Sequence, residues 1–252
     1  QPVDAEVPER WNWDSPILVS PHDNETIYFG SQRLWKSENQ GTAWEAVSSD
    51  LTTNTNRYEL ELMDRVWSVD DLYDNGDMSK YATLTTISES PLQEGLLYTG
   101  SDDGLVHVSA DGGENWQKSS LKIPARSFIN DIATSPIDPN TALVIADAHK
   151  LGDYSPYVFM TSDRGKSWQS IAGDLPDGTI VWSIKQDHEV ADLLFIGTEF
   201  GIYFSYNKGV NWVKLKAGVP TIPFRDIALH KRENDLVGAS FGRGIYVLDD
   251  YS

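Results

Sequence analysis

Cysteine is absent from the 252 residues of the sequence, which removes disulfides, zinc–thiolate sites and thiol catalysis together. The absence does not fix a compartment, since many bacterial secreted proteins carry none. Long apolar runs are missing too. No stretch reaches the roughly 18 apolar residues of a transmembrane helix, and the opening QPVDAEVPER lacks the apolar core of a signal peptide, as a mature or trimmed product would. Basic residues are scarce: 20 Lys and Arg stand against 38 Asp and Glu, a formal charge of −18. Coulomb repulsion makes nucleic acid and anionic membranes poor partners, and a basic peptide, a neutral glycan or a divalent cation a better match. Solubility alone would also account for the acidity. There is no serine-hydrolase elbow and no phosphate-binding glycine loop. The histidines, His22, His107, His149, His188 and His230, show no metal-ligand spacing within one strand or helix, so no metal site is expected.

What the sequence does contain is one short string written four times: SENQGTAW (37–44), SADGGENW (109–116), TSDRGKSW (161–168) and SYNKGVNW (205–212). Each copy reads Ser/Thr, any residue, Asp/Asn, any residue, Gly, two small or polar residues, Trp. The intervals shrink towards about 45 residues, the mark of a repeat with insertions of different size. Upstream of each Trp the order of events is constant: an apolar run, a turn rich in Pro, Asp and Asn, a β-rich run such as IYFGS or LLFIGT, a second turn, and a third alternating run such as RLWKS or GIYFS. The box is the next turn, and a short strand after the Trp closes the unit. Four short antiparallel strands per repeat predict an all-β fold, a β-propeller. The units run approximately 14–50, 83–120, 127–173, 179–216 and 224–249, with a helical or loop insertion at 51–82. The fifth has VLDDYS where a box belongs. Either the N-terminal stretch 6–14 lends it the missing strand, or the chain is one segment of a larger propeller, with remaining blades in a longer chain or a partner subunit.

The box reads as a structural clip. Its Asn39, Asp111, Asp163 and Asn207 accept backbone hydrogen bonds within their own turn, the glycine supports a positive φ, and Trp44, Trp116, Trp168 and Trp212 pack between sheets. Two of the four copies carry Asn, which can serve as neither a general acid nor a base. The pattern resembles the Asp box, or bacterial neuraminidase repeat, of sialidases, xyloglucanases and sortilin-type receptor ectodomains. More closely, WNWDSPILVSPHD, LLYTGSDDGLVHVSADGGENW, YVFMTSDRGKSW, LLFIGTEFGIYFS and RENDLVGASFGRGIYVLDD resemble the sortilin-like or glycosyl-hydrolase-like repeat domain of large bacterial secreted proteins. That resemblance implies a secreted or extracytoplasmic propeller, at the periplasm or cell surface, that forms the later part of a longer propeller region.

Strand parity places all boxes on one face. The opposite face collects the irregular turns, where function concentrates, and the ligand-binding candidates there are Trp67, Asp103, His149, Tyr154, Glu199, Phe200, Phe241 and Arg243. A glycoside hydrolase would need two carboxylates flanking the scissile bond, and Asp102, Asp103, Asp147 and Glu199 are the candidates. The arginines of this face do not make the cluster a sialidase needs, so binding of a protein, peptide or glycan, or a scaffold role, ranks above catalysis. Within the insertion, Met63, Val66, Val69 and Tyr73 fall at helical spacing and predict a short helix docked on the neighbouring blade. The DNGD turn (74–77) resembles a calcium loop in composition alone, because the other ligands of an EF-hand are missing, so calcium is the single cofactor left open.

Overall fold

In a computed structural model, residues 8–62, 64–67, 80–216 and 218–252 are described. Among the described residues the alternating runs form 21 strands, and 19 of these build five antiparallel sheets, one per repeat unit. The first sheet holds β1 (Ile17–Val19), β2 (Ile27–Gly30), β3 (Leu34–Ser37) and β4 (Glu45–Ala46). A small hairpin, β5 (Glu61–Leu62) with β6 (Arg65–Val66), follows. The second sheet is β7 (Leu84–Glu89), β8 (Leu97–Ser101), β9 (Val106–Ser109) and β10 (Gln117–Ser119), and the third is β11 (Phe128–Thr134), β12 (Ala142–Ala148), β13 (Asp153–Thr161) and β14 (Gln169–Ser170). The fourth comprises β15 (Val181–Gln186), β16 (Leu194–Thr198), β17 (Gly201–Ser205) and β18 (Val213–Lys214). The fifth has three strands, β19 (Phe224–His230), β20 (Asp235–Ser240) and β21 (Ile245–Leu248). Within each sheet the strands are paired in chain order, which is the architecture of a β-propeller blade.

The core lies between blades. Four buried clusters occupy the four joints of the five blades, and each takes side chains from consecutive sheets. Tyr28 and Leu34 meet Leu84 and Leu97; Tyr98 and Val108 meet Ile129 and Ile132; Leu143 and Val158 meet Ile184 and Leu194; Phe195 and Ile202 meet Phe224 and Ile227. Strands buried on both faces explain the near-continuous burial of β8, β12 and β16.

The four boxes fold alike. The Ser or Thr hydroxyl accepts from the glycine N–H at 2.9, 2.9, 2.9 and 2.8 Å, and Oδ1 of the Asp or Asn accepts from the N–H four residues on at 2.8, 2.9, 2.9 and 2.9 Å. Only an acceptor oxygen is used in that bond, which is why Asn39 and Asn207 serve as well as Asp111 and Asp163. Three of these boxes also join blades. Trp116 Nε1 donates to Val47 O and Trp212 Nε1 to Ile171 O, both at 2.9 Å, while Ser119 Oγ donates to Gly165 O at 2.6 Å.

Two expectations from sequence are corrected. Residues 8–14 add no strand to the fifth blade: they run over the first, where Arg10 donates to Asp50, Asn54 and the carbonyl of Ala82, and Asn12 to Thr83. Polar side chains at this spacing anchor to loops and offer no alternating apolar face to a sheet. The helix expected from Met63 onwards is replaced, where the chain is described, by the β5–β6 hairpin, which turns through Asp64 at φ +62°. Met63, Val69, Tyr73 and the DNGD turn lie outside the described residues.

Candidate functional site: the mouth opposite the boxes

Register fixes the two faces. Each box follows the end of a third strand, which pairs with the start of the second, as Ser109 pairs with Leu97 and Ser205 with Leu194. At the other end, the start of each first strand pairs with the end of the second: Leu84 with Ser101, Phe128 with Asp147, Val181 with Thr198, Phe224 with Ser240. The turns carrying Asp103, His149, Glu199 and Phe241 therefore share the face opposite the boxes.

On that face the first strands of the second to fifth blades repeat one irregularity. A register shift falls between Leu84 and Thr86, Ile129 and Asp131, Val181 and Ser183, and Phe224 and Asp226. Each shift leaves one residue unpaired: Thr85, Asn130, Trp182 and Arg225. A bulge re-aims its extra side chain, and all four line one central cavity of about 520 Å³ at this mouth, together with Asn12, Asp14, Phe128, Asp147, His149 and Lys150.

The polar groups of the cavity fall into two sets. Asp147 is buried, 4% exposed, and the His149 ring and backbone N–H both bind its Oδ1. Its Oδ2 has no hydrogen-bond partner among the described residues. His149 in turn meets Trp182 edge-on at 5.8 Å, and Trp182 Nε1 donates to Glu199 at 2.9 Å. The second set is cationic. Arg225 lies over the Trp182 ring at 3.5 Å with the exposed Phe241 on it at 5.3 Å, and Lys150 lies over Phe128 at 4.9 Å. Neither cation has an ion pair or a side-chain hydrogen bond among the described residues. Stacking holds the guanidinium while leaving its N–H edge free, a geometry suited to a planar anion.

Of the residues singled out from sequence, the structure gathers His149, Asp147, Glu199 and Phe241 about Trp182 and Arg225. It does not gather the rest. Asp103 is turned into its blade, 4% exposed, with its oxygens taking Ser101 Oγ, Thr53 N–H and Thr53 Oγ1, so it ties the long insertion down. Asp102 is equally internal, bound by the Thr83 N–H and hydroxyl at 2.9 Å each, and burial pushes its carboxyl up to about 6 against those bonds. Trp67 lies beside Arg65, whose guanidinium covers its ring at 3.8 Å, at the hairpin. Tyr154, exposed at the start of β13, and Phe200 and Arg243, exposed on their turns, contribute nothing to the cavity wall. Sequence reasoning missed Thr85, Asn130 and Trp182 and counted Arg225 only among the arginines of this face, although a signal existed for all four. Each stands two residues before an isoleucine that recurs in every unit, Ile87, Ile132, Ile184 and Ile227, with a small or acidic residue between. Among the described residues no group of three or more His, Cys, Asp or Glu is placed to hold a metal ion.

The solved structures similar to this chain share its fold. An ancestral GH74 enzyme has 18% identity and a TM-score of 0.67, covering 98% of this chain and 31% of that one. The GH74 xyloglucanase from Xanthomonas campestris has 16% identity and a TM-score of 0.65, over 92% and 36%. An extracellular domain assigned to a hybrid two-component system of B. thetaiotaomicron has 12% identity and a TM-score of 0.60, over 93% and 27%. The chain thus spans about a third of the length of these three proteins. No curated protein matches it. The family model for sortilin, neurotensin receptor 3 (Sortilin-Vps10) matches residues 104–241, more than half of the sequence. The chain, a β-propeller array of repeated four-stranded units, belongs to the Sortilin-Vps10 family.

Proposed function

We propose that the chain is a non-catalytic, extracytoplasmic binding module, and that a protein, peptide or glycan ligand enters the mouth opposite the boxes and presents an anionic group to Arg225 and Lys150. The observation that carries this reading is the unpaired pair of cations in a chain of formal charge −18. With almost twice as many acids as bases, a cation left without a carboxylate partner beside a cavity is a selective arrangement, and Arg held by aromatic stacking loses little freedom on binding. Net charge argued for a basic ligand; the unpaired Arg225 and Lys150, in a wall that also holds Asp14 and Asp147, argue for an acidic group, with Asp147 Oδ2 free to accept from a neighbouring ligand hydroxyl or amine. The extracellular domain among the similar structures supports an extracytoplasmic setting. No helix among the described residues is long and apolar enough to cross a membrane.

A glycoside hydrolase is the second reading, favoured by the likeness to a xyloglucanase and by Asp147 and Glu199 on either side of the His149–Trp182 pair. Against it, Asp102 and Asp103 are consumed by structural bonds, and one Glu199 oxygen holds Trp182. The test is an array of acidic and basic peptides and of neutral and uronate-bearing oligosaccharides, probed with the parent protein and with Arg225→Ala/Lys150→Ala. Retention of acid-bearing ligands, lost in the double variant and weakened by salt, is the expected result. Equal retention by both proteins would overturn it. New reducing ends from xyloglucan, abolished by Asp147→Asn, would establish the hydrolase instead.

A further inference from the structure

We propose that a second cavity, between the insertion and the link from the second blade to the third, is a binding site for a small phosphate or sulfate ester, with Arg126 and Tyr81 holding its oxyanion. The cavity has a volume of about 350 Å³ and lies against the turn that carries Asp103. It shares no lining residue with the cavity at the mouth, and the inference is independent of what enters there.

Two of the links between blades contain the same turn. In the link to the fourth blade it runs from Pro176 to Thr179, closed on Pro176 O by the Thr179 N–H at 3.2 Å and by Thr179 Oγ1 at 2.7 Å, with Gly178 at φ +81°. In the link to the third blade both bonds recur from Ser127 to Pro124 O, the N–H at 3.2 Å and Oγ at 2.7 Å. Arg126 now stands where Gly178 stood, at φ +68°. This is the third position of a type II turn, whose left-handed backbone favours glycine. A side chain strained there in one copy of a repeat, where the next copy has glycine, points to a use for that side chain.

Nothing within the fold uses it as an anchor. Arg126 makes no ion pair among the described residues, and its buried Nε has no acceptor there. The Tyr81 hydroxyl beside it is buried and lacks an acceptor too. Burial first, then Asp103 and Asp102, push the Tyr81 phenol up to about 12 while Arg126 opposes them, so the hydroxyl keeps its proton to donate. Asp103, the acid among the described residues of this wall, is already occupied by Ser101 Oγ, Thr53 N–H and Thr53 Oγ1. Lys118 adds a second cation from β10, again with no ion pair among the described residues. Buried donors without acceptors are costly until a ligand supplies them. These come from three separate elements, link, insertion and strand, a set better matched by the three free oxygens of a phosphate or sulfate ester than by the two of a carboxylate. Leu60, Leu105 and Ile123 give the organic part of the ester an apolar wall, in a cavity of small-molecule size.

The test is calorimetric titration of the protein with p-nitrophenyl phosphate, p-nitrophenyl sulfate, inorganic phosphate and p-nitrophenol, alongside thermal unfolding. Saturable binding of at least one ester is expected, and the tighter of the two tells phosphate from sulfate. Arg126→Gly should weaken it about tenfold or more, the worth of a hydrogen bond to a charged group, while its unfolding midpoint stays level or rises because glycine relaxes the turn. Tyr81→Phe should weaken the ester as well, and Arg225→Ala/Lys150→Ala should leave it unchanged, which separates this site from the mouth. Four results would each overturn the proposal: no saturable binding of either ester, equal binding by the parent and Arg126→Gly, loss of binding in Arg225→Ala/Lys150→Ala, or binding of p-nitrophenol or inorganic phosphate as tight as that of the esters. A fall in the midpoint of Arg126→Gly would show the side chain to be structural and would overturn it too.

Discussion

Replacing one glycine in two different boxes separates the clip from the joint. Gly41 and Gly209 have almost the same backbone, φ +86° and +79°, and occupy the same place in the box. An alanine at either site incurs the left-handed penalty of about 1–2 kcal/mol. The surroundings differ. A Cβ at Gly41 would meet nothing nearer than the Trp44 ring at 3.5 Å, an ordinary contact, whereas a Cβ at Gly209 would stand 2.4 Å from Ile171 O and 2.8 Å from Ile171 Cβ. Backbone cannot rotate away as a side chain does, so the fourth blade must move off the third. Overpacking of that kind costs about 1–3 kcal/mol, and the Trp212 Nε1 bond to the same carbonyl, 2.9 Å long, is strained with it for about 1 kcal/mol more. Gly209→Ala should therefore cost about 2–4 kcal/mol more than Gly41→Ala, a further fall of roughly 4–15 °C in midpoint for a chain of this size. Thermal and urea unfolding followed by tryptophan emission measure both. Equal destabilisation would refute the view that boxes hold neighbouring blades together.

Three other outcomes follow from the same geometry. Trp116→Ala should destabilise by about 3–5 kcal/mol, since it empties a joint and orphans Val47 O, and Trp44→Ala by clearly less; unfolding titrations compare them. Asp111→Asn should leave the midpoint at pH 7 nearly unchanged, because Asn39 and Asn207 fill that role already, yet remove an acid-sensitive contribution. Hydrogen bonds from Asn115 and Ser109 hold the Asp111 carboxyl at about 2, so its stabilisation is present above the ordinary carboxylate range and is lost as pH falls towards 2. Asp102 has the opposite sign. Its folded value of about 6 lies above 3.8, so its contribution is fully present below 3.8 and is lost as pH rises through 6, about 3 kcal/mol over that window. Asp102→Asn should consequently gain stability relative to the parent on going from pH 4 to pH 7. A difference that stays flat with pH would contradict the burial of this carboxylate.

The repeat was legible in the sequence because its clip is chemically local. A hydroxyl, an Asx oxygen, a glycine and a tryptophan at fixed spacing dictate one turn, and counting strands from it assigns the two faces. Legibility ends where tertiary packing takes over. Asp102 and Asp103 look like exposed loop acids, yet Thr83, at the start of their own unit, and Thr53, brought in by the preceding insertion, draw both inward. Trp182 and Arg225 sit inside runs that read as regular strand, and only a bulge, in which each is the extra residue with no partner on the next strand, turns them to the axis. The start of the insertion's apolar stripe shows the same limit: Val66, expected on a helix, is paired with Glu61, and Arg65 with Leu62, in a hairpin.

The availability of the Arg225 guanidinium to an anion is tested most directly by collisional quenching of Trp182, read as the emission of the parent minus that of Trp182→Phe. Iodide and caesium probe the sign of the local field at equal ionic strength. Arg225 over the ring at 3.5 Å predicts stronger quenching by iodide, against the −18 charge of the chain, and loss of that preference in Arg225→Ala measured against Arg225→Ala/Trp182→Phe. Stronger quenching by caesium in the parent would contradict recognition of an anionic group at this mouth.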